Sequence, residues 1–238
     1  MRKAYLKTYL YEIIFILSVS ILMRVSFFVF FLFWILWIIL MIYLTPCLIM
    51  TLIANNYLFV RLDPEKHILI AKKMYKIFRI NMIKDINRIN LSVCYWLLNE
   101  KEKALKYLYE IKITKLTLPI IKYCYYVNLM EYNYFMGKKE EARKIFEDKF
   151  RKSGEKLEIG ILLDYENNPE QKIIELKKLL KWKRKLSKIQ IKFNLGKTYE
   201  EVGNFEKAKE FYKEVAEKGN KLYIGKVAQK KILELQSN

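Results

Sequence analysis

Glycine, proline and histidine are scarce in this chain of 238 residues, which contains seven glycines, four prolines and one histidine. No G-x-G-x-x-G or G-x-x-x-x-G-K pattern occurs, so a glycine-rich phosphate-binding loop is excluded. Because His67 is the single histidine, a histidine-rich metal site is excluded and no catalytic dyad or triad is expected around it. We expect His67 to be an ordinary surface residue.

The three cysteines also lack the spacing of a functional motif. Cys47, Cys94 and Cys124 form no C-x-x-C pair, so neither a zinc site nor a redox motif is supported. Cys94 and Cys124 are expected to be small buried thiols. Adjacent acids such as Glu140 and Glu141 stand among lysines, as they do on a solvated helix face. The sequence therefore predicts a protein that is not an enzyme and that uses no cofactor or metal.

Charged residues are almost absent from the first part of the chain. Between Leu10 and Val60 the only charged residues are Glu12 and Arg24. Residues 25–44 carry no charge, and a helix of that length spans about 30 Å, the thickness of the hydrocarbon core of a bilayer. This stretch is apolar on all sides, which predicts a membrane-spanning helix rather than an amphipathic soluble helix.

We predict that residues 1–60 form a membrane anchor with transmembrane helices at about 6–23 and 27–48. The first helix has the shorter apolar core, and the alternative is a single span with this helix lying on the membrane surface. Because cations precede and follow the anchor, both of its ends are expected in the cytoplasm. The prediction is an integral protein of a bacterial-type plasma membrane with a cytoplasmic soluble domain. After Pro46 the apolar sequence either extends the second helix or returns to the membrane surface.

Helical periodicity dominates from residue 61 onward, and no strand or hairpin pattern interrupts it. The clearest unit runs from 189 to 222. Small residues at Gly196 and Ala208 allow two antiparallel helices to touch, and Gly203 suits the left-handed turn that ends the first helix. Larger side chains fill the gaps around that contact, namely Leu195, Tyr199, Phe205, Phe211 and Tyr212. In these positions the unit resembles the tetratricopeptide repeat family.

The same register extends upstream, where Ala104 and Ala142 align with Ala208, and Gly137 aligns with Gly203. We therefore predict an all-α protein in which a transmembrane hairpin is followed by an α–α superhelix of tetratricopeptide-like helical hairpins. A connecting helix within 61–84 either lies on the bilayer or caps the superhelix. The superhelix covers 85–238, with repeats at about 85–118, 123–156, 155–188 and 189–222 and a closing helix at 223–236.

The resemblance implies that the first helices of the repeats line a concave groove that binds a segment of another protein. Carrying the family's groove positions over to this chain gives seven candidates: Trp96, Val127, Glu131, Tyr134, Phe193, Lys197 and Glu200. An apolar and aromatic groove suits a hydrophobic peptide in extended or helical form. The alternative is that these side chains fill the inside of the superhelix.

The net charge of +19 indicates an anionic partner, and the densest basic cluster lies in what we predict to be the second helix of the third repeat. This basic patch consists of Lys177, Lys178, Lys181, Lys183, Arg184, Lys185 and Lys188. Lysine outnumbers arginine, whereas specific phosphate recognition favours arginine, so nucleic acid is not the expected partner. Anionic lipid or an acidic protein fits the patch, and the alternative is that the lysines reflect overall composition.

Together these patterns predict a membrane-anchored scaffold that binds a protein partner at the cytoplasmic face, for recruitment to a membrane complex or for its assembly. The lipid bilayer is the second expected partner. An alternative from another class is a membrane-tethered basic module that binds nucleic acid or anionic lipid. A third is a subunit whose intramembrane part performs the function, although only Glu12 and Arg24 are ionisable there.

Overall fold

The computed structural model describes residues 13–20, 27–78 and 80–236. Within these residues the regular structure is entirely helical, which confirms the predicted all-α fold. The described part of the first helix, α1, covers 13–20. The other helices are α2 (Phe27–Asn55), α3 (Pro64–Ile77), α4 (Asn81–Leu97), α5 (Lys101–Tyr109), α6 (Pro119–Phe135), α7 (Lys139–Lys149), α8 (Glu158–Asp164), α9 (Pro169–Leu180), α10 (Lys185–Glu201), α11 (Phe205–Lys218) and α12 (Tyr223–Glu234).

Helix α2 is the long apolar helix that the sequence predicts. It continues through Pro46 to Asn55 and passes into a π-helical turn, Asn56–Val60, so the apolar sequence after Pro46 extends the helix. Within the described residues one helix, Val29–Val60, is long and apolar enough to cross a membrane, and almost none of it is buried. The predicted first span, at about 6–23, falls partly outside the described residues. Its described part is helical, and the ring of Phe15 lies 6.0 Å from that of Phe33 on α2.

Helix α3 runs back along α2 in the antiparallel direction. Asp63 accepts a hydrogen bond from the Lys66 amide at 3.2 Å and so caps the helix, while Pro64 occupies its first position. The prediction of a surface histidine is wrong, because His67 is fully buried and its Nδ1 lies 2.8 Å from the carbonyl oxygen of Ala54. Since α3 packs against both α2 and α4, it caps the first helical pair.

Residues 81–218 form helical pairs, α4 with α5, α6 with α7, α8 with α9, and α10 with α11, followed by α12. Three of the first helices end in the same turn, in which one residue adopts a left-handed conformation: Asn99 (φ 64°), Gly137 (φ 83°) and Gly203 (φ 73°). In each turn the next amide donates to a carbonyl five residues back, as from Asn204 to Tyr199 at 2.9 Å. The predicted role of Gly203 is confirmed, and Asn99 has the same role in the first pair.

The small residues predicted at the helix contacts lie where helices meet. Ala104, Ala142 and Ala208 are fully buried, and a Cβ atom added to Gly196 would come within 2.7 Å of the ring of Tyr212. Of the five larger repeat residues of the last pair, Leu195, Tyr199 and Tyr212 are buried around this contact, and Phe211 is partly buried against the same core. The prediction for Phe205 is wrong, because this residue begins α11 and its side chain is 53% exposed. Because the ring of Tyr212 occupies the space that a side chain at position 196 would need, α10 and α11 pack in close contact.

The segment that leaves α2 packs against the last helical pair. Lys185 donates a hydrogen bond from Nζ to the carbonyl oxygen of Val60 at 2.9 Å, and Lys221 Nζ lies 2.5 Å from Asp63 Oδ2. Leu58 and Leu62 belong to the same buried cluster as Leu186, Ile189 and Leu222. The first and last parts of the superhelix therefore meet at the residues that follow α2.

Candidate binding cavity

A cavity of about 360 Å³ lies between α4, α6, α10 and α12. Trp96 of α4, Glu131 and Phe135 of α6, and Phe193 and Lys197 of α10 contribute to its walls. The first helices of three pairs thus face one another across the inside of the superhelix. Its lining is mainly apolar and aromatic, with charged groups at separate points, as is common for binding sites in proteins.

Four of the seven groove candidates, Trp96, Glu131, Phe193 and Lys197, line this cavity together. The other three, Val127, Tyr134 and Glu200, lie outside its lining. Val127 and Tyr134 pack against a second buried cluster, which contains Met130, Phe146 and Leu195 among others. Burial raises the pKa of the Tyr134 hydroxyl to about 12, so this side chain stays neutral.

Glu200 binds side chains of the last two helices instead of facing the cavity. Its carboxylate accepts hydrogen bonds from Tyr212 Oη at 2.7 Å and from Lys231 Nζ at 2.9 Å. Burial acts to raise the pKa of Glu200, but these two donors outweigh it and the pKa is lowered. Glu200 therefore joins α10 to α11 and α12 and lies outside the lining of this cavity.

Stacked rings hold the Trp96 wall of the cavity in place. The rings of Trp96 and Tyr132 are stacked with centroids 4.1 Å apart. The Tyr132 hydroxyl lies 3.0 Å from Ser92 Oγ, which in turn donates to the carbonyl oxygen of Ala104 at 2.7 Å. Because Tyr132 is buried and hydrogen-bonded, it fixes the orientation of Trp96.

The closing helix α12 supplies a wall that the repeat pattern did not predict. Tyr223, Ile224, Val227 and Lys231 of this helix line the cavity. Their spacing in the sequence places them on one face of the helix, so this face could have been predicted from the sequence. We did not predict this face because the family's groove positions lie only on the first helices of the repeats.

Two partly buried carboxylates lie close together on the inner side of the superhelix. Glu131 accepts a hydrogen bond from Gln190 Nε2 at 3.0 Å, and Glu158 accepts one from Asn194 Nδ2 at 2.6 Å. Desolvation raises the pKa of Glu131 to about 7. Desolvation, and then the charge of Glu131, raise the pKa of Glu158 to about 8. Each carboxylate therefore holds its proton to a pH far above the ordinary value for glutamate.

The basic patch spans two helices and a turn, so its prediction as part of one helix is wrong. Lys177 and Lys178 lie in the last turn of α9, and Lys185 and Lys188 lie in the first turn of α10. Lys181, Lys183 and Arg184 lie in the turn between the two helices. Two lysines of the patch, Lys178 and Lys185, have local partners, and so do Lys192 and Lys218 outside the patch. Lys178 pairs with Glu175 at 2.7 Å, and Lys192 and Lys218 both pair with Glu214. These pairs reduce the charge that the surface presents to a partner.

The thiols and the acids of the described residues form no further site. Burial raises the pKa of the Cys94 and Cys124 thiols, which keeps both protonated and unreactive. Over the described ranges, no group of three or more histidine, cysteine, aspartate or glutamate side chains could hold a metal ion. The cavity between α4, α6, α10 and α12 is therefore the candidate functional site of this part of the chain.

A family model described as Tetratricopeptide repeat matches residues 189–217 of the chain. These residues cover most of α10 and α11, the pair in which Gly196 contacts Tyr212. Searches of curated proteins and of solved structures find no match. The chain thus contains a tetratricopeptide repeat, which confirms the resemblance seen in the sequence, and repeats of this family mediate protein–protein interaction.

Proposed function

We propose that this chain, whose last helical pair is a tetratricopeptide repeat, is a membrane-anchored scaffold that binds a protein partner at the cytoplasmic face. The domain division that belongs to this proposal is an anchor at 1–60, a connecting helix within 61–84 and a superhelix at 85–238. The observation that carries the proposal is the aromatic cavity enclosed by α4, α6, α10 and α12.

The size and lining of the cavity favour a short apolar segment of a protein as its occupant. Its volume of about 360 Å³ accommodates one or two large side chains rather than a whole helix. Phe135 and Phe193 offer ring surfaces, while Lys197 can donate hydrogen bonds to exposed carbonyl groups. A partner would therefore insert apolar anchor residues and leave most of its chain outside.

The properties of α2 support membrane anchoring. A core helix of a soluble protein would be mostly buried, whereas only 6% of an apolar 18-residue window within the candidate span Val29–Val60 is buried. This helix would be about 48 Å long, which exceeds the bilayer core. Its second part is covered on one side by α3, with Tyr43, Leu44 and Cys47 packed against Met74 and Phe78. This supports an exit from the hydrocarbon core near the end of the charge-free run 25–44.

The distribution of cations supports a cytoplasmic superhelix. Arg2, Lys3 and Lys7 lie at the start of the anchor, and Arg61 and Lys66 follow it, so the positive-inside rule favours both ends in the cytoplasm. The alternative function, a basic module for nucleic acid, is disfavoured by the excess of lysine over arginine and, within the basic patch, by the carboxylate partner of Lys178.

Photo-crosslinking from intact membranes tests the proposed cavity. Benzoylphenylalanine replaces Phe135, which lines the cavity, or Phe205, an exposed residue that begins α11 and does not line it. We expect a discrete protein adduct from position 135 and none of the same mass from position 205. The same adducts from both positions, or no protein adduct from position 135, would contradict binding in the cavity.

A further inference from the structure

The loop that joins α5 to α6, residues 110–118, exposes an apolar side chain. Leu116 is 95% exposed. The loop around it is ordered by its own hydrogen bonds. Thr117 Oγ1 accepts from the Thr114 amide at 2.9 Å, and Lys122 Nζ donates to the carbonyl oxygen of Lys115 at 3.0 Å. An ordered loop conformation therefore keeps the Leu116 side chain exposed.

Further exposed apolar side chains surround the loop. Met82 at the start of α4 lines the same surface depression of about 560 Å³ as Leu116 and Leu118. The exposed apolar side chains next to these in the sequence are Ile80 and Ile120. Lysines interrupt or flank this apolar surface, namely Lys84, Lys112, Lys115 and Lys122. The two acids that line the depression, Asp85 and Glu110, are both paired with Arg88, so the lysines determine the charge of this surface. An apolar centre with basic residues around it is typical of segments that lie in the headgroup region of a bilayer.

The pairing of α2 with α3 determines where this surface lies relative to the membrane. His67 is level with Ala54, and the ring of Phe78 is 5.3 Å from that of Tyr43, so α3 returns to the level of Tyr43. Ile83 of α4 belongs to the same cluster as Tyr43. The start of α4, and with it the depression that Leu116 lines, is therefore close to the end of the charge-free run.

We propose that Leu116 and the exposed apolar residues around it insert into the headgroup region of the same bilayer that holds α2, and that the surrounding lysines bind anionic phospholipid headgroups. This inference rests on the proposed membrane anchoring. The position of this apolar surface favours a bilayer as its partner. Because α2 spans the bilayer in this proposal, it places the membrane surface next to the loop. Lysine ammonium groups complement the negative charge of anionic lipid headgroups near such a surface.

A fluorescent probe at position 116 tests the contact. The full chain with Leu116→Cys, and with its three natural cysteines replaced by alanine, is labelled with the polarity-sensitive dye NBD and reconstituted into vesicles with and without phosphatidylglycerol. Trp182→Cys is the matched control. Trp182 is 86% exposed and apolar, but it lies near Lys185 and Val60, about 25 Å of helix beyond Tyr43. We expect a blue shift and quenching by lipid-borne spin labels at 116, larger with phosphatidylglycerol, and neither at 182.

Carbonate washing of the same vesicles separates the two proposals. A chain that resists the wash while its probe at 116 reports water, as at 182, overturns the loop contact alone. Release of the chain by the wash overturns both the anchoring and the contact. An equal shift in neutral vesicles overturns the role of the lysines. Where the cysteine-free chain does not fold, benzoylphenylalanine at 116 in the natural chain supplies the second variant. Phospholipid adducts there support the contact, and their absence overturns it.

Discussion

The ring of Tyr212 lies directly against Gly196, so closely that a Cβ atom on Gly196 would come within 2.7 Å of its Cε1 atom. Tyr212 is fully buried, and its hydroxyl donates to Glu200 at 2.7 Å. The ring is thus fixed both by its contact with Gly196 and by the hydrogen bond of its hydroxyl group to Glu200. This relationship fixes the distance between α10 and α11.

Replacing Gly196 by alanine is therefore expected to destabilise the chain. On an open helix surface the change from glycine to alanine stabilises by about 1 kcal/mol, but overpacking a filled core costs about 1–3 kcal/mol. We expect a net loss of free energy of unfolding in detergent, measured by urea denaturation and circular dichroism. Glu210→Ala, at an exposed position of α11, is the control and should change little. A stabilised Gly196→Ala variant would show that the contact is loose.

The buried histidine predicts a loss of stability in acid. Desolvation lowers the pKa of His67 below its ordinary value of 6.5, although its contact with the Ala54 carbonyl oxygen opposes the shift. The unfolded chain then binds a proton more readily than the folded chain, so the contribution of this group is complete above about pH 6.5 and decreases below it. We expect His67→Gln to reduce the dependence of unfolding free energy on pH below about pH 6.5. An unchanged profile would mean that the imidazole is not buried.

The two inner carboxylates predict the opposite trend. The pKa of Glu131 is raised from 4.5 to about 7, so the folded chain retains a proton that the unfolded chain has lost. Its effect on stability is absent below about pH 4.5 and becomes more unfavourable until about pH 7. Glu131→Gln should therefore be more stable, relative to the natural chain, at about pH 8 than at about pH 5. Glu170→Gln, at an exposed site on α9, should leave the profile unchanged. Equal profiles for both variants would contradict the burial of Glu131.

The pair formed by Asp63 and Lys221 predicts unequal effects of its two partners. Asp63 also caps α3, and its side chain is buried, whereas that of Lys221 is half-exposed. Lys221→Ala should cost about 0.5 kcal/mol, as exposed pairs do. Asp63→Ala should cost about 1–2 kcal/mol, because the cap is lost too. Asp63→Asn retains the cap and should resemble Lys221→Ala. Equal losses for both alanine variants would rule out the cap.

The helices and their contacts could largely be predicted from the sequence, because local chemistry determines them. Gly196, Gly203 and Ala208 each have one physical reason for their position, and these reasons do not depend on the rest of the fold. Asn99 could have been found in the same way, since asparagine tolerates the left-handed conformation that Gly203 adopts.

The composition of the cavity could be predicted only in part, because it depends on how far the superhelix curves. Trp96 and Phe193 are distant in sequence and line one cavity, while Tyr134, at an equivalent groove position, packs into a cluster. The α12 wall, including Val227, forms because the last helix folds back on α10 and α11. His67 was misjudged for a similar reason, since its burial results from α3 packing along α2.

Protease treatment of carbonate-washed, sealed inside-out membrane vesicles tests the central claim most directly. If the anchor at 1–60 spans the bilayer and the superhelix is cytoplasmic, the chain stays in the membrane pellet, and trypsin added outside removes everything beyond about residue 61. An apolar fragment containing Trp34 and Trp37 remains protected. A superhelix that resists trypsin until detergent is added, or a chain that the wash releases intact, would contradict the account.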